Sequence, residues 1–319
     1  MRQGKSKSVD LVLEGGGVKG IGLLGAALEL VDAGYRFERI AGTSAGAIAA
    51  ALLAAYQRAG EDLHKLEAVM KSCDYRRFED GPFLERVTGP VGEGVEVLLH
   101  KGAHTGDYLY EWLGPVLEAV GVTKFGDLRL DDSDSSLQDY QRYGLVVHTS
   151  DLSRHCLVRL PWDYSEYGRP ADDQLIVDAV RASMSYPFFF RPVEFATGTG
   201  GKVTWVDGGL LSNFPITVFD RTDGKPSRWP TWGVKLTGEP RAVDKPVATA
   251  PGLVINTVST LLSEWNRYHL DDEGVNQRTI LVDTTGVSSL DFGLTAAQQQ
   301  TLFGNGQAAG QKFLRQVTY

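Results

Sequence analysis

Apolar and polar positions along the chain alternate between short continuous runs and longer periodic ones. Val9 to Leu13 is almost wholly apolar and stops at Glu14-Gly15-Gly16-Gly17, the pattern of a buried strand bounded by glycine. Ile21, Leu24, Leu28 and Val31 then recur at helical spacing, and Gly34 closes that segment as a helix C-terminal glycine does. Phe37 to Ala41 is a second short strand, followed by Gly42-Thr43-Ser44-Ala45-Gly46 and an alanine-rich run, Ala47 to Ala55, apolar on nearly every face. Strand, helix, strand, helix at this spacing predicts an α/β fold, a mostly parallel sheet with helices on both faces.

Further along, Tyr108–Val120 and Asp172–Ser185 read as helices, the second stopped by Pro187 because the residue before proline avoids helical geometry. Gly144–Thr149, Cys156–Leu160, Val203–Val206, Thr231–Leu236 and Thr279–Val282 read as strands, and Val254–His269 and Thr295–Leu314 as helices. The pattern weakens between Asp74 and Gly106, where Gly-Pro pairs punctuate it, and this stretch is expected to be a surface excursion that serves as a lid. With no internal repeat and no linker, residues 1–319 are expected to form one domain behind a flexible N-terminus, residues 1–8.

Composition adds mainly exclusions. A formal net charge of -8 argues against a nucleic-acid partner, which calls for a basic stripe. The two cysteines, Cys73 and Cys156, stand far apart and in no metal-ligand spacing, which fits free thiols in a reducing compartment. No apolar run reaches the roughly 20 residues of a membrane span, and no signal-peptide core follows the N-terminus. The expectation is a cytoplasmic protein, peripheral at membranes at most; an oligomer is compatible with all of this.

Three motifs carry candidate chemistry. Gly42-x-Ser44-x-Gly46 between a strand and a buried helix has the form of a nucleophile elbow, with Ser44 pushed out of the sheet and a helix dipole aimed at any oxyanion formed there. The plainer alternative is a serine capping a helix. Gly15-Gly16-Gly17-Val18-Lys19-Gly20 ends the first strand, and consecutive glycines let backbone N–H groups point at an anion. The same residues match the Gly-x-Gly-x-x-Gly dinucleotide fingerprint, but the acidic residue that reading needs at the end of the second strand is missing. Asp207-Gly208-Gly209 follows a strand, where a buried carboxylate serves as a base; a turn aspartate is the alternative. His269 completes a Ser–Asp–His order formally, yet it lies in a charged, helical stretch expected to face solvent.

Together and in this order, the glycine loop, the elbow and the distant Asp-Gly-Gly resemble the patatin-like phospholipase family, as does Arg181-Ala182-Ser183-Met184-Ser185-Tyr186-Pro187. The resemblance implies a three-layer α/β/α fold and a Ser–Asp dyad without histidine. Ser44 would be the nucleophile, Asp207 the base, and the N–H groups of Gly15, Gly16, Gly17, Val18 and Lys19 the oxyanion hole, with Gly20, Gly42, Gly46, Gly208 and Gly209 as motif glycines. It also implies fatty acyl esters of phospholipids as substrates, transient contact with a membrane surface, and no metal or cofactor. Phe188, Phe189 and Phe190, beside Tyr186, are candidate walls of an acyl groove, core packing being the alternative. An acyltransferase on the same dyad is the neighbouring activity.

Overall fold

The structure, a computed structural model, describes residues 7–79, 104–131, 137–238 and 273–317, with a few further positions between 247 and 261. Strand β1 (Lys7–Leu13) leads through the glycine loop into α1 (Gly20–Asp32), β2 (Tyr35–Thr43) into α2 (Ala45–Ala59), and α3 (Lys65–Lys71) follows. After α4 (Tyr108–Ala119) come β3 (Leu145–Asp151), β4 (Cys156–Leu160), α5 (Ile176–Ser183), β5 (Val193–Ala196) and β6 (Lys202–Asp207). The short α6 (Gly209–Ser212), β7 (Thr231–Thr237), α7 (Glu273–Asn276), β8 (Thr279–Asp283) and the long α8 (Ala296–Val317) complete the described elements.

The sheet runs β5-β6-β3-β2-β1-β7-β8, with β4 paired to β3 off this path. β3, β2, β1, β7 and β8 are parallel, and β4, β6 and β5 join antiparallel at one side. Helices flank the sheet in the three-layer α/β/α arrangement; α8 packs on α1, α1 on α2, α2 on α5 and α5 on α4. The continuous apolar runs of the sequence are the central strands: every residue of β3 is buried, as are the last five of β1 and of β2. Strands covered on both faces lose the alternation that marks a half-exposed strand.

Several expectations need correction. The strand Val203–Val206, given no direction by the sequence, is β6, and it pairs antiparallel with β3, Thr149 opposite Asp207. The helix expected from Asp172 begins only at Ile176, because the preceding residues spend their backbone groups elsewhere: the Asp172 and Gln174 carbonyls accept from Gly126 and Phe125, and Ile176 donates to Thr123. The short strand β5 was not anticipated; its pattern is half-exposed and only four residues long. Most of the expected helix 254–269, His269 included, lies outside the described residues, as does 80–103 of the expected lid. At the ends of that stretch, Phe78 and His104 both lie against Phe190. Among the described residues no helix is long and apolar enough to cross a membrane.

Candidate active site

β3 decides where the site forms. β4 occupies one edge of β3 over residues 147–151, so β2, paired at 145–148, and β6, paired at 149–151, share the other. β2 runs up to Thr43 opposite His148, and β6 comes from the opposite direction and ends at Asp207 opposite Thr149. Two strand ends therefore meet head to head on adjacent rungs, and the residues that leave them are Ser44 and Asp207.

Ser44 links β2 to α2 with φ 52° and ψ -120°, a conformation rarely adopted by a residue with a side chain. Such strain costs on the order of 1–3 kcal/mol and persists only where the surroundings impose it. Here they do: a Cβ on Gly42 would stand 2.2 Å from the Gly46 carbonyl oxygen, and one on Gly46 2.3 Å from that of Leu13. Only glycines let the helix start be pressed so close to β1 and β2. The Ser44 N–H donates to Ser183 Oγ at 2.9 Å, and that hydroxyl donates to the His148 carbonyl at 2.6 Å. The Ser44 side chain makes no capping bond to α2, so the helix-cap alternative fails; its hydroxyl instead acts on the Asp207 carboxyl, which it pulls down.

Asp207 is 2% exposed. Its Oδ1 accepts the Gly209 N–H at 2.7 Å, while its own N–H donates to the Ser185 carbonyl at 2.9 Å. Gly208 is tight against β3, where a Cβ would meet the His148 carbonyl oxygen at 2.2 Å. Burial pushes the Asp207 carboxyl up to about 7, against the opposing pull of the Gly209 N–H and the Ser44 hydroxyl.

The glycine loop lies directly beside the serine; a Cβ on Gly15 would be 3.2 Å from that of Ser44. Asn213 clasps Gly15 reciprocally, its carbonyl accepting the Gly15 N–H at 3.0 Å and its Nδ2 donating to the Gly15 carbonyl at 3.1 Å. Val18 N–H donates to the Ser289 carbonyl and Lys19 N–H to that of Gly16. The expected set of oxyanion donors therefore shrinks. Gly15, Val18 and Lys19 spend their N–H groups on the backbone, whereas those of Gly16 and Gly17 meet no acceptor among the described residues. Gly17 has φ 56°, and Gly20 opens α1. Beneath the loop, Glu14 is buried; Lys235 Nζ donates to its Oε1 and the Leu236 N–H to its Oε2 at 2.7 Å. Burial raises the Glu14 carboxyl, and the Lys235 and Lys19 charges oppose that rise.

Three supporting residues went unrecognised in the sequence. Ser183 lies within the Arg181–Pro187 segment, but nothing in its spacing shows that it holds Ser44. Asn213 carries no motif. His148 stands out only as a polar residue in a strand that starts apolar; burial lowers its ring to about 4, so that it is neutral, against a raising influence from the Gly42 backbone. Of the phenylalanines, Phe190 is buried, while Phe188 and Phe189 are half-buried. Among the described residues no group of three or more His, Cys, Asp or Glu is placed to hold a metal.

A three-layer α/β/α protein with a strained serine at a strand–helix turn, in contact with a buried carboxylate, is the class that this fold and site define. Comparison with known proteins narrows it: the sequence model for the patatin-like phospholipase family matches residues 11–220, and the chain belongs to that family. It is 33% identical over 314 residues to the protein YqhO of Bacillus subtilis (strain 168), covering 98% of this chain and 99% of that one. It is 25% identical over 224 residues to Patatin-like protein 4 of Arabidopsis thaliana, covering 65% of this chain and 50% of that protein. The crystal structure of VipD from Legionella pneumophila has the same fold, with a TM-score of 0.54 at 18% identity over 98% of this chain and 67% of VipD. Membership of the family supports activity as a lipid hydrolase.

Proposed function

We propose that this protein hydrolyses fatty acyl esters of phospholipids or related lipids, with Ser44 as nucleophile and Asp207 as general base. The observation that carries the reading is the meeting of two strand ends on adjacent rungs of β3, which puts Ser44, in its strained turn after Thr43, next to the buried Asp207. A carboxylate at its ordinary pKa near 3.9 is a weak base; one raised to about 7 is still partly ionised at neutral pH and holds a proton strongly enough to pass it on.

In the first step Ser44 Oγ bonds to the ester carbonyl carbon and its proton goes to Asp207. The carbonyl oxygen becomes an oxyanion, for which the N–H groups of Gly16 and Gly17 and the N-terminus of α2 are the available donors. Collapse breaks the bond to the alcohol, which leaves with the proton from Asp207. Water then adds to the acyl-enzyme and gives a proton to Asp207. The second collapse releases the fatty acid and returns that proton to Ser44. The substrate's location implies transient contact with a lipid surface.

The test is fatty-acid release from short-chain esters and phospholipid vesicles by wild type, Ser44→Ala, Asp207→Asn and His269→Ala. Ser44→Ala and Asp207→Asn are expected to lose ~10⁴-fold or more in kcat, and His269→Ala to stay near wild type. Full activity in either of the first two variants, or loss in the third, would defeat the dyad. Transfer of the acyl group to an added alcohol in preference to water would assign a transferase on the same residues. Tight binding of a dinucleotide without esterase activity would restore the other reading of Gly15–Gly20.

A further inference from the structure

Phe188 sits where a glycine belongs. After α5 the chain closes a tight turn, with the Phe189 N–H donating to the Tyr186 carbonyl at 3.1 Å. Pro187 holds the second position of that turn and Phe188 the third, with φ 69°. A turn of this form, type II, places its third residue in the left-handed region and is normally filled by glycine or asparagine there. For a bulky residue such a backbone is an outlier.

Core packing explains its neighbours but not Phe188. Phe190 is buried and its ring meets Phe78 edge-on at 6.0 Å. Phe189 stacks on Phe292, centroids 4.8 Å apart and planes 7° from parallel. Phe188 is half-buried and enters no ring–ring contact among the described residues. Its place in the chain is at the site: Ser183 and Ser185, just upstream, hold the Ser44 N–H and the Asp207 N–H. Backbone strain that packing does not require, beside a candidate nucleophile and base, points to a use for the side chain.

We propose that Phe188 is a specificity-determining residue, whose ring, carried by the strained turn that directly follows Ser183 and Ser185, receives the acyl chain of the ester and favours long chains over short ones. The proposal rests on the hydrolase reading above. It also makes Phe292, which lies beyond the matched family region, a support for the acyl side of the site.

The experiment compares kcat and KM on p-nitrophenyl dodecanoate and butanoate for wild type, Ser44→Ala, Phe188→Gly and Phe188→Ala, with a thermal melt of each. Phe188→Gly and Phe188→Ala are expected to lose about tenfold or more in kcat/KM on the dodecanoate, mainly through KM, and to stay within about twofold on the butanoate. The glycine variant is expected to melt above the alanine variant, because glycine adopts the turn without strain. A parallel loss on both esters, or an unchanged dodecanoate-to-butanoate ratio, would make the ring structural and overturn the proposal. No Ser44-dependent release from either ester by wild type would instead overturn the hydrolase reading beneath it. Should Phe188→Gly fail to fold, Phe188→Asn, which also tolerates the left-handed region, supplies the same comparison.

Discussion

At the scale of single residues, the chemistry turns on the environment of Asp207. Burial alone raises a carboxyl, and here it outweighs the lowering influence of the Gly209 N–H and the Ser44 hydroxyl to give a value of about 7. Activity that needs the ionised form should rise with pH through about 7 and level off above it, and a pH profile of kcat/KM measures this directly. The same shift sets a stability trend. In the folded chain Asp207 keeps its proton up to about pH 7, whereas its ordinary value is 3.8, so the unfolded chain binds fewer protons between those limits. Its contribution to stability is complete below about pH 4 and is lost as pH rises through 7. Asp207→Asn should therefore melt progressively higher than wild type as pH goes from 5 to 8; a difference in Tm that is flat across that range would refute the buried, raised carboxyl. Ser44 and Asp207 were legible as motif residues. The division of the loop was not, because whether an N–H of Gly15 or Val18 is free depends on Asn213 and Ser289, far away in sequence.

At the scale of elements, the elbow is held from outside as much as by its glycines. Ser183 on α5 gives the Ser44 N–H its acceptor and ties both to β3 through the His148 carbonyl. Ser183→Ala leaves a donor without an acceptor next to the strained turn. We expect it to cost about 1–3 kcal/mol in stability by denaturant unfolding, and roughly tenfold in kcat, the misplacement of a nucleophile being costly. Retained kcat with the stability loss would show that the turn holds its shape unaided. Most strands and helices were readable from periodicity, because burial on one face or two writes itself into the apolar pattern. Direction was not: Val203 to Val206 is equally apolar whether β6 runs with or against β3, and the antiparallel course is what brings Asp207 to Ser44.

At the scale of the whole molecule, the region beyond the matched family segment is built into the site's frame. β7 borders β1, Ser289 takes the Val18 N–H, and Lys235 on β7 pairs with Glu14 under the glycine loop. α8 crosses α1 at glycines: a Cβ on Gly306 would lie 2.1 Å from the Gly22 carbonyl oxygen, and one on Gly25 2.3 Å from that of Phe303. Gly306→Val should force these helices apart and cost about 3 kcal/mol. Gly304, on the same helix, has nothing within 4 Å of a Cβ, so Gly304→Ala should stabilise by up to about 1 kcal/mol through helix propensity alone. Thermal melts of the two variants moving in the same direction would contradict this packing.

What the chain determined by itself is whatever local physics writes into neighbouring residues. Apolar runs mark buried strands, a 3.6-residue period marks helices, and glycines beside a serine or an aspartate mark turns that a side chain would obstruct. From these came the α/β class, the glycine loop, the elbow and the Asp-Gly-Gly turn. Only the tertiary structure decided that β2 and β6 end on adjacent rungs of one edge of β3, that two of the loop's N–H groups lack acceptors among the described residues, and that Phe188 occupies a glycine's turn position. These depend on hydrogen-bond partners and strand directions set by residues tens to hundreds of positions apart, which no local pattern encodes.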